Sequence, residues 1–111
     1  MNRHLVVLDT NILVSALLSP FGQPARVLDL VLAGEVRLAF DDRLLAEYRE
    51  VLARPKFGFR QENVQALMDY LVGEGEPVVA LPLVVVLPDS DDLPFLEVAA
   101  QANAVLITGN K

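Results

Sequence analysis

The chain has 111 residues, of which 53% are hydrophobic, and its formal net charge is −6 at neutral pH. This size and apolar content predict a single domain, residues 1–111, with a core of its own. The acidic balance argues against nucleic-acid binding over the whole surface, because phosphate contacts require Lys and Arg, although a local basic face is compatible with it. The lack of cysteine excludes disulfides and thiolate metal sites. No apolar run is long enough to cross a bilayer and no signal-peptide layout is present, so we expect a cytoplasmic protein.

The first part of the chain alternates strand and helix. HLVVLD, which begins at His4, is rich in β-branched residues and predicts a strand, and a helix follows from Thr10 to the turn at 19–22. Residues 23–33 predict a second helix that ends at Gly34. Its predicted buried stripe consists of Leu28, Val31 and Leu32. VRLAF, residues 36–40, then predicts the second strand.

The alternation continues in the second part. Asp41 or Asp42 is expected to cap a helix that runs through RLLAEYREVLAR and ends before Pro55. Residues 61–72 predict another helix. PVVALPLVVVLP, residues 77–88, predicts an interrupted strand at an edge of the sheet because of its prolines. Ser90 or Asp91 is expected to cap a helix that ends at Ala102, and AVLIT, residues 104–108, predicts the last strand.

Apolar stripes and their order indicate the architecture. The core stripes of the two middle helices are predicted to be Leu44, Tyr48, Val51 and Leu52 in one, and Val64, Leu67, Met68 and Leu71 in the other. Helices that alternate with near-continuous apolar strands predict an α/β fold, a central parallel sheet covered on both faces, which is a three-layer α/β/α sandwich.

Three acidic residues are predicted to point inward. Asp9 interrupts an apolar run at the carboxyl end of the first strand, the edge at which parallel sheets bind ligands. A buried ionised carboxylate needs a partner, because its desolvation costs several kcal/mol. Glu47 leans toward the core stripe of its helix, and Asp92 lies on the inward side of the first turn of the last helix. Three converging carboxylates would repel one another unless a cation held them, and an all-oxygen site suits Mg²⁺ or Mn²⁺.

Each of these acids also has a structural explanation. Asp9 can cap the helix that follows it, Glu47 can be a surface acid on a helix flank, and Asp92 can simply favour a helix N-terminus. Glu50 and Glu97 are predicted to be solvated helix charges. His4, a lone histidine before the first strand, is predicted to be a surface residue rather than a general base.

Three segments in order resemble a known family. VLDTNILVSALL, LLAEYREVLARPKF and PDSDDLPFLEVAAQANAVLITGNK are similar to the motifs of the PIN domain family, named for the PilT N-terminus, in particular its branch of toxins from toxin–antitoxin modules. The resemblance covers nearly the whole chain. It implies a flap-nuclease-like α/β fold and a Mg²⁺- or Mn²⁺-dependent endoribonuclease. It also implies an RNA substrate, a cognate antitoxin protein and a homodimer as partners.

The family's acids fall on named positions of this chain. By the resemblance, Asp9, Glu47 and Asp92 are the metal ligands, and these three together with Asn110 form the catalytic group. Asp92 is preferred over its acidic neighbours because of its spacing from the last strand. Asn110 stands where the family has a fourth acid, and it offers a carbonyl oxygen without a charge. We therefore expect a second metal ion to bind poorly.

The resemblance extends to residues around the acids and to the end of the chain. The resemblance implies that three polar neighbours orient the acids by hydrogen bonds, namely Thr10, Asn11 and Thr108. Thr10 and Asn11 can also cap the first helix. PIN domains usually continue past the TGN turn with another strand. We therefore expect a domain truncated at its C-terminus, without its edge strand and open to pairing with another chain.

A basic segment with aromatic residues is the candidate for RNA contact. ARPKFGFR, residues 53–60, places Arg54, Lys56 and Arg60 among Phe57 and Phe59, a composition suited to phosphate contact and base stacking. Alternatively, the basic residues favour a helix C-terminus and the two phenylalanines fill the core.

Two other classes of function remain open. A phosphotransfer protein could use Asp9, but haloacid-dehalogenase-like members of that class expect a second acid two positions on, where this chain has Asn11. A non-catalytic interaction module would have the same fold with its acids unused. Metal-dependent cleavage of RNA separates the nuclease from both.

Overall fold

Four parallel strands form the centre of the fold in the computed structural model, which describes residues 4–83 and 93–109. They are β1 (His4–Leu8), β2 (Val36–Phe40), β3 (Glu76–Pro77) and β4 (Val105–Ile107). Their order in the sheet is β3-β2-β1-β4. Val6 of β1 is in register with Leu38 of β2 on one side and Val105 of β4 on the other. The strands β1 and β2 are therefore central.

Five α-helices connect the strands within the described ranges. They are α1 (Thr10–Leu18), α2 (Gln23–Leu32), α3 (Asp42–Leu52), α4 (Gln61–Glu74) and α5 (Leu93–Ala102), with a short 3₁₀ helix at Pro55–Phe57. α3 is capped as predicted, because Asp41 Oδ1 accepts a hydrogen bond from the Leu44 N–H. α2 ends before Gly34, whose φ of 78° is the left-handed conformation that glycine adopts most easily. The predicted α/β architecture, a three-layer sandwich around a parallel sheet, is confirmed.

The core lies between the sheet and the helices. The most deeply buried large side chains are Tyr48, Leu8, Leu13, Leu38, Leu44, Leu52, Met68, Leu71, Val7 and Val98. The α3 and α4 stripes are mostly as predicted, although Val51 and Leu67 are only half-buried. The prediction for Leu32 is wrong, since its side chain is 42% exposed. The buried residues of α2 advance in steps of three, Ala25, Leu28 and Val31, and Leu32 is rotated off that stripe.

The predicted strand at residues 77–88 is largely wrong within the described part of the chain. β3 contains only Glu76 and Pro77, and residues 78–83 form no strand. The Val78 N–H donates to the Phe40 carbonyl at 2.8 Å, after which the pairing ends. Pro77 and Pro82 have no N–H to donate, which limits a ladder in this segment. The prediction that the strand lies at an edge is confirmed, and residues 84–88 lie outside the described ranges.

The strand order creates a crevice beside β1. The chain moves outward from β1 to β2 and β3, and then returns to place β4 on the other side of β1. In parallel sheets, ligands bind beyond the carboxyl ends of strands at such a reversal of order. Here that point lies between the ends of β1 and β4. No helix in the ranges described is both long and apolar enough to cross a membrane.

Candidate active site

Asp9 lies in the crevice, directly after β1. Its N–H donates to the Ile107 carbonyl at 3.0 Å, which fastens it to the end of β4. Its Oδ1 accepts from the Asn11 N–H at 3.3 Å, so Asp9 caps α1 and this structural explanation is correct. The cap uses one oxygen only. Within residues 4–83 and 93–109, Oδ2 accepts no hydrogen bond, and it is available to a ligand.

Glu47 is held beside Asp9 by Thr10. The buried Thr10 hydroxyl donates to Glu47 Oε2, although the two residues lie 37 positions apart in the chain. Thr10 is the first residue of α1 and follows Asp9 directly. Glu47 is half-buried and leans toward the core as its helical position predicts. One hydroxyl therefore sets the position of a second carboxylate next to the first.

Tyr48 supports both carboxylates from the core. Its hydroxyl donates to the Leu8 carbonyl at 2.6 Å, at the residue before Asp9. Burial, followed by the negative charges of Asp9 and Glu47, raises the pKa of Tyr48 above its ordinary value. Both carboxylates therefore act on the same phenol. Tyr48 was predicted only as a core residue, but a buried tyrosine usually needs a hydrogen-bond partner, and that signal could have indicated its role.

The end of β4 closes one side of the crevice. A Cβ placed on Gly109 would lie 3.6 Å from the Asn11 Cβ, so this turn packs against the start of α1. Thr108 and Asn11 are both exposed. An open groove runs from here along α2, and it is lined by Ile12, Gln23, Pro24, Val27, Ile107, Thr108 and Gly109.

The other two predicted site residues, Asp92 and Asn110, lie outside the described ranges. Within those ranges, no three His, Cys, Asp or Glu side chains gather into a metal-sized group. The described part of the site is thus the pair Asp9 and Glu47. Their carboxylates are hard oxygen donors of the kind that Mg²⁺ and Mn²⁺ prefer, so the pair fits such an ion while leaving the ligand set incomplete.

Two of the three basic residues predicted to contact RNA are paired with acids. Arg54 contacts Glu50 at 2.9 Å, and Arg60 contacts Glu62 at 2.5 Å, all of them on the surface. Glu50 is solvated, as predicted. Lys56 makes no ion pair in the described part of the chain, and its Nζ lies 5.1 Å from the centre of the Phe57 ring. An RNA role for this segment stays a prediction.

The two phenylalanines of this segment stack on each other. The ring centroids of Phe57 and Phe59 are 5.6 Å apart with an interplanar angle of 15°. Both side chains are half-buried and pack against the core. This agrees with the alternative in which they fill the core.

The prediction that Glu97 is a solvated charge is wrong. Its side chain is only 6% exposed, and Oε1 lies 2.6 Å from Nη1 of Arg43. The hydrogen bond from Arg43, with a second from the Leu83 N–H, holds the pKa of Glu97 below its ordinary value. Glu97 is the single charged residue in the α5 sequence LPFLEVAAQA. A single charged residue in an otherwise apolar helix indicates that its side chain is buried and has a charged partner.

Comparison with known proteins gives three results. A family model described as PIN domain matches residues 5–111. The chain is 31% identical over 109 residues to an uncharacterized protein of Methanocaldococcus jannaschii, and the alignment covers 96% of this chain and 70% of that protein. No solved structure gives a significant match.

Proposed function

The chain belongs to the PIN domain family, and on this premise we propose that it is a metal-dependent endoribonuclease, the toxin of a toxin–antitoxin module. PIN domains are generally nucleases that use divalent metal ions, so nuclease-type hydrolase chemistry follows from the family. The ion, the RNA substrate, the antitoxin and a homodimer are the finer parts of the proposal. Because the proposed substrate is RNA, we propose that the protein acts in the cytoplasm.

The observation that carries the proposal is the hydrogen bond from Thr10 to Glu47. It joins the first residue of α1 to the middle of α3, and it brings a second carboxylate to the end of β1. Two acids side by side repel each other, and a divalent cation relieves that repulsion. A surface acid without a function would not need a buried hydroxyl to hold it in this place.

The proposed ligands of Mg²⁺ or Mn²⁺ are Asp9 and Glu47, joined by Asp92 and by the side-chain carbonyl of Asn110. When bound, such an ion polarises a phosphate and lowers the pKa of a bound water. Asn110 brings no charge, so we propose one tightly held ion.

The residues around Asp9 and Glu47 hold the two carboxylates in place for a metal ion. Thr10 donates to Oε2 of Glu47, while Oε1 accepts no hydrogen bond from the residues that the structure describes. Burial raises the pKa of Tyr48 above its ordinary value, and its hydroxyl donates to the Leu8 carbonyl. This hydrogen bond fixes the end of β1. Asn11 and Thr108 are exposed at the rim, where a phosphate could accept hydrogen bonds from them.

The test is cleavage of single-stranded RNA with Mg²⁺ or Mn²⁺, with and without EDTA. We expect EDTA to abolish cleavage, and we expect Asp9→Asn and Glu47→Gln each to lower the rate by about a hundredfold or more, since each removes a charged ligand. Metal affinity, measured by calorimetry, should fall in both variants. Their thermal stability without metal should not fall, because loss of one acid relieves repulsion.

The matched controls are acids away from the crevice. Glu50→Gln changes an exposed acid of the same helix, and Asp69→Asn changes an exposed acid of α4 that accepts a hydrogen bond from Gln65. Both should keep full activity. Cleavage by the purified protein that survives EDTA would refute the metal requirement. A protein that binds metal but cleaves no RNA would instead support the non-catalytic interaction module.

A further inference from the structure

A chain of charged hydrogen bonds lies next to the candidate active site. Asp41 Oδ1 caps α3, while its Oδ2 accepts from Arg43 Nε at 2.8 Å and lies 2.7 Å from Arg43 Nη2. Arg43 Nη1 then donates to Glu97 Oε1 at 2.6 Å. Glu97 Oε2 accepts from the Leu83 N–H at 2.8 Å. Each of these polar groups takes part in a hydrogen bond or ion pair, and this network joins three parts of the molecule.

Those three parts are otherwise far apart in sequence. Arg43 stands in the first turn of α3, Glu97 one turn into α5, and Leu83 six residues after the end of β3. Glu97 fastens α5 to α3 and to residue 83 at once. A second contact supports this junction, since the rings of Tyr48 in α3 and Phe95 in α5 have centroids 6.3 Å apart.

The junction lies on the side of α3 that carries Glu47. Arg43 and Glu47 are four residues apart in one helix, so their side chains lie on the same side, one turn from each other. α5 begins at Leu93, directly after Asp92 in the sequence. The pair Arg43–Glu97 therefore ties α5 to the side of α3 that carries Glu47.

Stability alone is a poor reason for this pair. The Glu97 side chain is buried, whereas the Arg43 side chain is 46% exposed. The desolvation of Glu97 offsets much of its attraction to Arg43. Its short hydrogen bonds from a charged donor are strongly directional, however, and they fix one relative placement of the two helices. An apolar contact at this place would allow α5 to slide or rotate on α3.

We propose that Arg43 and Glu97 are positioning residues, which set α5 on α3 so that the carboxylates of the active site are held in the geometry for metal-assisted cleavage. This inference rests on the proposed nuclease function. Neither residue contacts the substrate. Both act through the placement of Glu47.

The test compares Glu97→Gln, Arg43→Met, the double variant and Arg43→Lys. At saturating Mn²⁺ we expect both single variants to lose about tenfold to a hundredfold in kcat with little change in KM, because misplacement by about 1 Å is enough for such a loss. The double variant should lose no more than either single one, since the pair acts as a unit. Arg43→Lys keeps the charge and should recover part of kcat.

A second readout does not depend on activity. In NMR spectra, Glu97→Gln should shift the side-chain carboxyl resonance of Glu47 and speed hydrogen exchange of the Leu83 amide. The matched control is Glu76→Gln, which breaks the 3.0 Å ion pair of Arg37 and Glu76 between β2 and β3. Glu76→Gln should change neither the Glu47 carboxyl resonance nor the hydrogen exchange of the Leu83 amide, and kcat should stay the same.

The outcomes separate the inference from the proposed function. If the unmodified protein does not cleave RNA, the proposed function fails, and the NMR readout alone decides whether the pair sets the position of Glu47. If the unmodified protein cleaves RNA and Glu97→Gln keeps both its kcat and the Glu47 resonance, the inference is wrong. Loss of kcat with an unmoved Glu47 resonance would also overturn it.

Discussion

The backbone around Gly75, between α4 and β3, leaves no room for a side chain. A Cβ at this position would lie 2.5 Å from the Leu71 carbonyl oxygen and 2.7 Å from that of Leu38. Backbone atoms cannot move aside cheaply. Because its φ of −86° suits any residue, the requirement for glycine here is one of space alone.

We therefore expect Gly75→Ala to lower the free energy of unfolding by about 1–3 kcal/mol, which is the usual cost of overpacking. The control is Gly73→Ala near the end of α4, where a Cβ would meet nothing within 4 Å. It should stabilise by up to about 1 kcal/mol, because alanine favours a helix more than glycine does. Urea unfolding measures both. Equal stability of the two variants would contradict the close packing at residue 75.

Tyr48 allows a second prediction at the scale of one residue. Removal of its hydroxyl in Tyr48→Phe leaves the buried Leu8 carbonyl without its partner, and we expect a loss of about 1–2 kcal/mol. Since burial raises the pKa of Tyr48 in the folded state, its contribution is complete below its unfolded pKa of about 10 and is lost as the pH rises above that value.

Urea unfolding at pH 7 to 11 should thus show a shallower alkaline loss of stability for Tyr48→Phe than for the unmodified protein. Tyr70→Phe provides the comparison, since it removes a hydroxyl that donates to the Leu32 carbonyl at 2.9 Å, far from Asp9. RNA cleavage should fall in Tyr48→Phe and persist in Tyr70→Phe. The opposite order of activities would show that Tyr48 does not fix the end of β1.

At the scale of elements, the junction of α3 and α5 should respond to acid. Hydrogen bonds from Arg43 and then from the Leu83 N–H lower the pKa of Glu97 below its ordinary value of 4.5. A lowered pKa means that the stabilising contribution is complete above about pH 4.5 and is lost as the pH falls through the folded-state pKa. We expect Glu97→Gln to be less stable at neutral pH and to lose less further stability on acidification.

The measurement is the free energy of unfolding of both proteins between pH 7 and pH 3. Glu76→Gln, which removes the acid of an ion pair at the other end of the sheet, should keep the acid sensitivity of the unmodified protein. Parallel pH curves for Glu97→Gln and the unmodified protein would show that Glu97 does not link the helices through its charge.

At the scale of the whole molecule, the two edges of the sheet indicate where two copies of this protein are expected to associate. Within the described residues, β4 pairs on one side only, and its exposed Val105 belongs to an apolar run. β3 is the other edge, but it has two residues and one is proline, which cannot donate to a partner. If the proposed homodimer forms, we expect its contact at the β4 edge.

We expect Val105→Lys to weaken the dimer about tenfold or more in sedimentation equilibrium, because a lysine on an edge strand opposes pairing. Val79→Lys, a change at a valine next to β3 that is 89% exposed against 63% for Val105, should leave the dimer intact. A protein that remains monomeric at high micromolar concentration would contradict the homodimer itself.

The sequence by itself determined the features that depend on neighbours in the chain. Apolar patterns in the sequence predicted the five helices and the strands β1, β2 and β4, and the cap at Asp41 followed from local hydrogen bonding. The inward lean of Glu47 followed from its place on the helix. Asp9 was recognisable as a candidate site residue because it interrupts an apolar run.

Only the tertiary structure decided which distant residues meet. Thr10 and Glu47 are 37 positions apart, Tyr48 and Leu8 are 40 apart, and Arg43 and Glu97 are 54 apart. The solvated role predicted for Glu97 was wrong because helical position says nothing about a partner on another element. The strand expected after Pro77 was cut short for a similar reason, since apolar composition gives no account of whether a neighbouring strand is there to accept its hydrogen bonds. Local propensities act over a few residues, whereas burial and ion pairing depend on the packed whole.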